Sequence, residues 1–111
     1  MRKAEIYMHD QLVGWLFETE SGYEFVYDEL YLSGPQSESV SKTLPLQQRP
    51  FFSTIMFPFF DGLIPEGWLL SIAEKNFKLN ARDRMGLLLA CCEDCIGAVS
   101  VKPVTGVQDE N

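Results

Sequence analysis

The residues of this chain best equipped for chemistry are few: one histidine, His9, three cysteines, Cys91, Cys92 and Cys95, and the adjacent carboxylates Glu93 and Asp94. A closed zinc site takes four Cys or His ligands. Three cysteines crowded together, with the histidine near the other end of the chain, do not supply them. An odd, crowded set is also a poor disulfide framework and fits a reducing cytoplasm; buried small hydrophobes are the simpler reading. A nucleophilic triad needs a base held by a third group, and a lone histidine at a strand end does not make one. Glu93 and Asp94 read as a solvated helix-end turn rather than an acid/base pair. Gly62 and Gly67 are not spaced as a phosphate cradle, no lysine follows them, and the protein-kinase signatures are missing. The expectation is a chain with no catalytic residues, no metal and no cofactor.

What stands out instead is Phe57–Trp68, FPFFDGLIPEGW. Phe59, Phe60, Leu63 and Ile64 read as core. Pro65 suits the first position of a helix, and Glu66 favours its positive end. Leu69, Ile72, Ala73 and Phe77 then recur at helical spacing, and Trp68 lies off that stripe, bordering Ser71 and Lys75 on the polar side. Two readings of Trp68 stand: an interface anchor, since tryptophan is enriched among binding hot spots, or an edge ring lying over neighbouring strands.

The elements that position this stretch follow from periodicity. Residues 3–8 and 12–19 read as strands flanking a tight His9-Asp10-Gln11 connection. In the second, Val13, Trp15 and Phe17 alternate with Leu12, Gly14 and Leu16, giving one strongly and one moderately apolar face. Ser21-Gly22 turns into a strand YEFVYDEL with Tyr23, Phe25 and Tyr27 on one face. Residues 33–39 are a polar loop, and VSKTLPL is a short strand that Pro45 confines to an edge or a strand end. A second helix starts at Asn80 as N-cap and carries Met85, Leu88, Leu89 and Cys92 on one stripe. After Gly97 a last strand, AVSVKP, returns to the sheet. The sum is a small α+β domain: a curved, barrel-like antiparallel sheet of about five strands with two main helices packed on it. Its span is 1–103, with a flexible tail at 104–111.

The 111 residues make one domain, and 46% hydrophobic with 13% aromatic content supports a core. A net charge of −7 argues against direct nucleic-acid binding, which needs clustered Lys and Arg. It suits a basic protein partner or simple solubility. No stretch approaches the roughly 18 apolar residues of a membrane span, and the N-terminus lacks a signal peptide's apolar run.

Five motifs in register resemble the first N-terminal subdomain of the HipA-type toxin kinases. They are Val13-Gly14-Trp15-Leu16, Tyr23-x-Phe25-x-Tyr27-Asp28, Ser41 through Leu46 (SKTLPL), Phe59 through Gly67 (FFDGLIPEG), and Leu87-Leu88-Leu89 with Gly97-Ala98-Val99. The likeness runs from residue 3 to about 102, and FFDGLIPEG is its most specific part. In such kinases the subdomain precedes the kinase core, whereas here only a short polar segment follows Pro103. The resemblance therefore implies the free-standing form found in tripartite HipB/HipS/HipT-like toxin–antitoxin systems. There the small protein is an antitoxin that binds and neutralises a separately encoded serine/threonine kinase in the cytoplasm, and a HipB-like DNA-binding protein is the third chain. Alternatives are a non-inhibitory docking adaptor between those two, or a fragment of a longer HipA-like kinase. The sequence departs from full-length relatives after Pro65-Glu66-Gly67, where Trp68-Leu69-Leu70 replaces polar or basic residues. The expected partner-binding residues are accordingly Asp61, Glu66, Gly67, Trp68 and Ser71.

Overall fold

A computed structural model describes residues 1–35, 37–64, 82–91 and 99–104. Its core element is an antiparallel sheet of five strands: β1 (Lys3–Met8), β2 (Gln11–Thr19), β3 (Gly22–Tyr27), β4 (Phe51–Ser53) and β5 (Val99–Pro103), in the order β4-β3-β2-β1-β5. The short helices α1 (Glu29–Leu32) and α2 (Pro58–Asp61) and the longer α3 (Arg84–Cys91) complete the described elements. The α+β class and the five antiparallel strands are as expected. The barrel-like closure is not: β4 and β5 are the two ends of an open sheet.

The β1–β2 hairpin turns on His9 and Asp10, both exposed and both left-handed at φ 52° and 64°. Two positive φ values match the right-handed twist of the flanking strands, and Asp and His tolerate them better than most residues. Gln11 already belongs to β2.

In β2 the expected alternation breaks. Ile6 faces Gly14 while the next residue of β1, Tyr7, faces Leu12, so Val13 is an extra residue, a β-bulge. The bulge reverses the phase of side chains along the strand. Val13 and Leu16 are fully buried, whereas Trp15 and Phe17 sit half-exposed on the other face. They do not share a face with Val13. Gly14 permits the arrangement, because a Cβ there would lie 2.2 Å from the Val26 carbonyl oxygen and 3.0 Å from Tyr27 Cα.

The inner face of the sheet supplies Ala4, Ile6, Met8, Leu16, Phe25, Tyr27 and Val101 to one core with Tyr31, Phe57, Phe60, Ile64, Met85, Leu87 and Leu88. Phe25 is its aromatic hub, with ring centroids 4.8 Å from Tyr27 and 5.4 Å from Phe60 in edge contacts. Tyr23 packs against the same core, so the shared face of Tyr23, Phe25 and Tyr27 is confirmed.

Other boundaries move. The third strand stops at Tyr27; Asp28 caps α1, its carboxylate accepting from the Tyr31 N–H at 3.2 Å. VSKTLPL is not a strand but a tight turn with a single bridge between Ser41 and Leu44. Two stacked tyrosines hold that region. The Tyr27 hydroxyl donates to the Leu44 carbonyl and accepts from the Val40 N–H at 3.1 Å. The Tyr31 hydroxyl donates to the Glu38 carbonyl at 2.8 Å and accepts from the Glu38 N–H at 2.9 Å. The edge strand is instead β4, immediately after Pro50.

Asp83 rather than Asn80 stands at the start of α3, accepting from the Gly86 N–H at 3.1 Å; Asn80 lies outside the described residues. Met85 and Leu88 are buried as expected, Leu87 joins them, and Leu89 is half-buried against the core. The strand after Gly97 does return to the sheet, pairing Ala4 with Pro103 through Met8 with Val99. The expected helix after Pro65 and the tail beyond Val104 lie outside the described residues.

Candidate functional site

The first half of FPFFDGLIPEGW is core. Pro58 opens α2 at a position where its missing N–H costs nothing. The single turn drives Phe60 to full burial, with Phe57 and Ile64 at 6% exposure and Phe59 and Leu63 packed on the core around them. Asp61, the last residue of α2, grips Arg84 at the start of α3: its two carboxylate oxygens accept from Nε at 2.6 Å and from Nη2 at 3.2 Å. This bidentate pair holds α2 against α3, so the Asp61 carboxylate has an internal partner. Glu66, Gly67, Trp68 and Ser71 lie outside the described residues.

A second ionic node is built on Asp83, the residue directly before Arg84. The Arg2 guanidinium donates to both oxygens of Glu18, at 2.9 and 2.7 Å, and to both of Asp83, at 2.9 and 2.7 Å. It joins the start of β1 to the end of β2 and to the cap of α3. Hydrogen bonding from Arg2 holds both carboxyl groups below the usual carboxylate range.

His9 is at the exposed hairpin tip, and Cys91 is the final residue of α3; Cys92, Glu93, Asp94 and Cys95 lie outside the described residues. Among the described residues no three His, Cys, Asp or Glu side chains are grouped to hold a metal. No described helix is long and apolar enough to cross a membrane. A cleft of about 160 Å³ between the β2–β3 turn and β4, lined by Thr19, Ser21, Tyr23, Phe52, Ser53 and Thr54, is smaller than the roughly 300 Å³ at which small-molecule sites begin.

The feature that periodicity missed is the outer face of the sheet. Across the strands, Phe52, Glu24, Phe17 and Lys3 form one row, and Val26, Trp15, Glu5 and Lys102 the next. Leu12, Tyr7 and Ser100 follow. Phe52 is 71% exposed, with Ile55 at 68% just beyond it. Leu12, Trp15, Phe17 and Val26 are half-buried on the side away from the core cluster. Gly14 inside a strand pattern was the available signal, since an isolated strand glycine marks a bulge or a close backbone approach. A bulge there moves Trp15 and Phe17 outward.

The comparisons with known proteins agree on what kind of domain this is. The family model for the HipA N-terminal domain matches residues 4–102. An uncharacterised protein of Haemophilus influenzae strain Rd is 30% identical over 102 residues, covering 92% of each chain. A solved structure described as the N-terminal domain of HipA toxin superposes with a TM-score of 0.75 at 27% identity, covering 95% of this chain and 94% of its own. With a family model matched over residues 4–102 and a solved structure superposing over nearly its whole length, the chain belongs to the HipA N-terminal domain family, and with it to a HipA-related toxin–antitoxin context.

Proposed function

We propose that this chain is an antitoxin: a free-standing HipA N-terminal domain that binds and neutralises a separately encoded HipA- or HipT-like serine/threonine kinase in the cytoplasm. A HipB-like DNA-binding protein is the third member of the complex. The observation that carries the reading is the length of the Haemophilus influenzae relative. The alignment covers 92% of that protein as well as 92% of this chain, so the domain recurs there at the scale of a whole protein. In this reading the chain has no phosphotransfer of its own, and Trp68, beside Glu66, Gly67 and Ser71, is the anchor that a covalently attached domain would not need. A net charge of −7 adds electrostatic steering toward a basic partner surface.

The test is to purify the chain with the kinase encoded beside it and follow kinase autophosphorylation. A stable complex at micromolar concentration with phosphorylation suppressed is expected. Separate gel-filtration peaks would refute binding, and a complex with undiminished kinase activity would make the chain an adaptor. Saturable ATP binding to the isolated chain by calorimetry would refute the non-enzymatic reading.

A further inference from the structure

We infer that the cleft between the tip of the β1–β2 hairpin and the segment at Glu38 is a seat for an arginine side chain of a protein partner. Naming the kinase as that partner rests on the function proposed above; the site itself does not.

The cleft measures about 380 Å³ and is lined by Met8, His9, Gln11, Tyr31 and Glu38. Contacts already in the fold fix both of its walls. On one side His9 and Asp10 keep their left-handed turn, and the pairing of Met8 with Gln11 closes the hairpin beneath them. On the other side the Tyr31 hydroxyl donates to the Glu38 carbonyl and accepts from the Glu38 N–H. The loop is thereby clamped at the one residue that brings a negative charge to the cleft. Tyr31 is itself buried and stacked on Tyr27, with ring centroids 6.4 Å apart and planes 10° from parallel.

The lining selects a cation. Glu38 is its only acid, and no lysine or arginine belongs to it. Among the described residues the Glu38 carboxylate has no hydrogen bond or ion pair, and neither do the side chains of His9 and Gln11. Gln11 and His9 add acceptor atoms. The Tyr31 ring and the Met8 thioether supply a polarisable floor of the kind on which a guanidinium rests. An anion would meet Glu38 with no fixed cation to receive it, and Asp10 stands between His9 and Gln11 at the tip. Arginine is favoured over lysine because its planar fork can bond a carboxylate through two N–H groups while its face stacks.

The form of the cleft selects a protein rather than a free small molecule. Small-molecule sites are mostly apolar and enclose most of their ligand. Here Met8 and Tyr31 are buried, but His9, Gln11 and Glu38 are exposed around them. Such a seat takes one side chain, and useful affinity has to come from the surface that presents it. A chain of net charge −7 draws a basic surface toward it.

Two measurements test this. In the first, the isolated ¹⁵N-labelled chain is titrated with N-acetyl-arginine-N-methylamide and followed by NMR. Saturable shifts at the amides of His9, Gln11, Tyr31 and Glu38 are expected, with a Kd of about 1–10 mM. The citrulline counterpart, of the same shape without the charge, should bind about tenfold more weakly. Glu38→Gln keeps the backbone clamp to Tyr31 and should weaken the arginine response about as much. Glu20→Gln, which changes net charge equally at the β2–β3 turn, should not. Shifts spread over the whole acidic surface, an equal response to citrulline, or indifference to Glu38→Gln overturns the site. In the second, affinity for the kinase is measured by calorimetry, and Glu38→Gln should weaken it about tenfold while Glu20→Gln does not. A kinase that binds the parent chain and Glu38→Gln equally well overturns the kinase as occupant. A kinase that does not bind the parent chain refutes the proposed function, and with it this occupant, while the arginine titration still decides the site.

Discussion

Tyr27 shows at the scale of one residue how polar atoms specify this core. Its ring is buried, and its hydroxyl is used as both donor and acceptor against backbone groups of the 40–44 turn. Tyr27→Phe leaves a buried carbonyl and a buried N–H unmatched and should cost about 1–3 kcal/mol in chemical denaturation. Burial pushes the Tyr27 phenol above its usual range. That contribution is therefore complete below about pH 10 and lost as the pH rises through the raised value. Trp68 is the opposite case, a residue expected to matter for binding and little for folding. Trp68→Ala should lower kinase affinity roughly thirtyfold, about 2 kcal/mol, at an unchanged melting temperature. Calorimetric titration beside a thermal melt of the same variant separates an anchor from a ring packed on its own sheet. In the second case the melt moves and binding per folded molecule does not.

Gly14 sets the geometry of a whole element. Gly14→Ala would drive a methyl group into the backbone of β3, 2.2 Å from the Val26 oxygen, and should destabilise the domain by about 3 kcal/mol or more in urea unfolding. The bulge beside it also marks the limit of what periodicity could reveal. Strands β1, β3 and β5 were legible because each keeps strict alternation, with Ala4, Ile6 and Met8 or Phe25 and Tyr27 turned inward. In β2 one extra residue inverted the pattern, and the outer aromatic face was hidden with it. Val40 and Leu44 are both buried, which imitates a strand although the chain between them only turns. β4 is three residues long, too short for a periodic signal. Asp61 was legible as part of a motif, but its pairing with Arg84, 23 residues on, is a tertiary fact. Elements are also coupled by charge. Glu18 and Asp83, both lowered by Arg2, tie β1 and β2 to α3. Groups of this kind stabilise above the ordinary carboxylate range and cease to as the pH falls through their lowered values. Stability measured by denaturation should therefore decline as the pH drops below about 4. The decline should be shallower in a Glu18→Gln, Asp83→Asn double variant.

At the scale of the molecule the sheet is assembled from distant parts of the chain. β2 and β3 follow β1 through short turns, but β1 acquires its other neighbour only from β5, pairing Ala4 with Pro103 across almost the entire sequence. The consequence is temporal. Local hairpins close in microseconds, whereas the β1–β5 ladder must wait for the last strand. During synthesis at about 5–20 residues per second, β1 stays an open edge for several seconds after the β1–β2–β3 meander has been made. Its exposed N–H and C=O groups could then template pairing with another nascent chain, a hazard typical of unprotected edge strands. A chain truncated before Val99 should keep this exposure permanently and partition into the pellet on expression, where the chain that includes β5 remains in the supernatant. Recovery of the truncated chain as a soluble, cooperatively melting monomer would show that the meander and its helices protect themselves. Otherwise the last strand made is what retires the first strand from the pool of sticky edges.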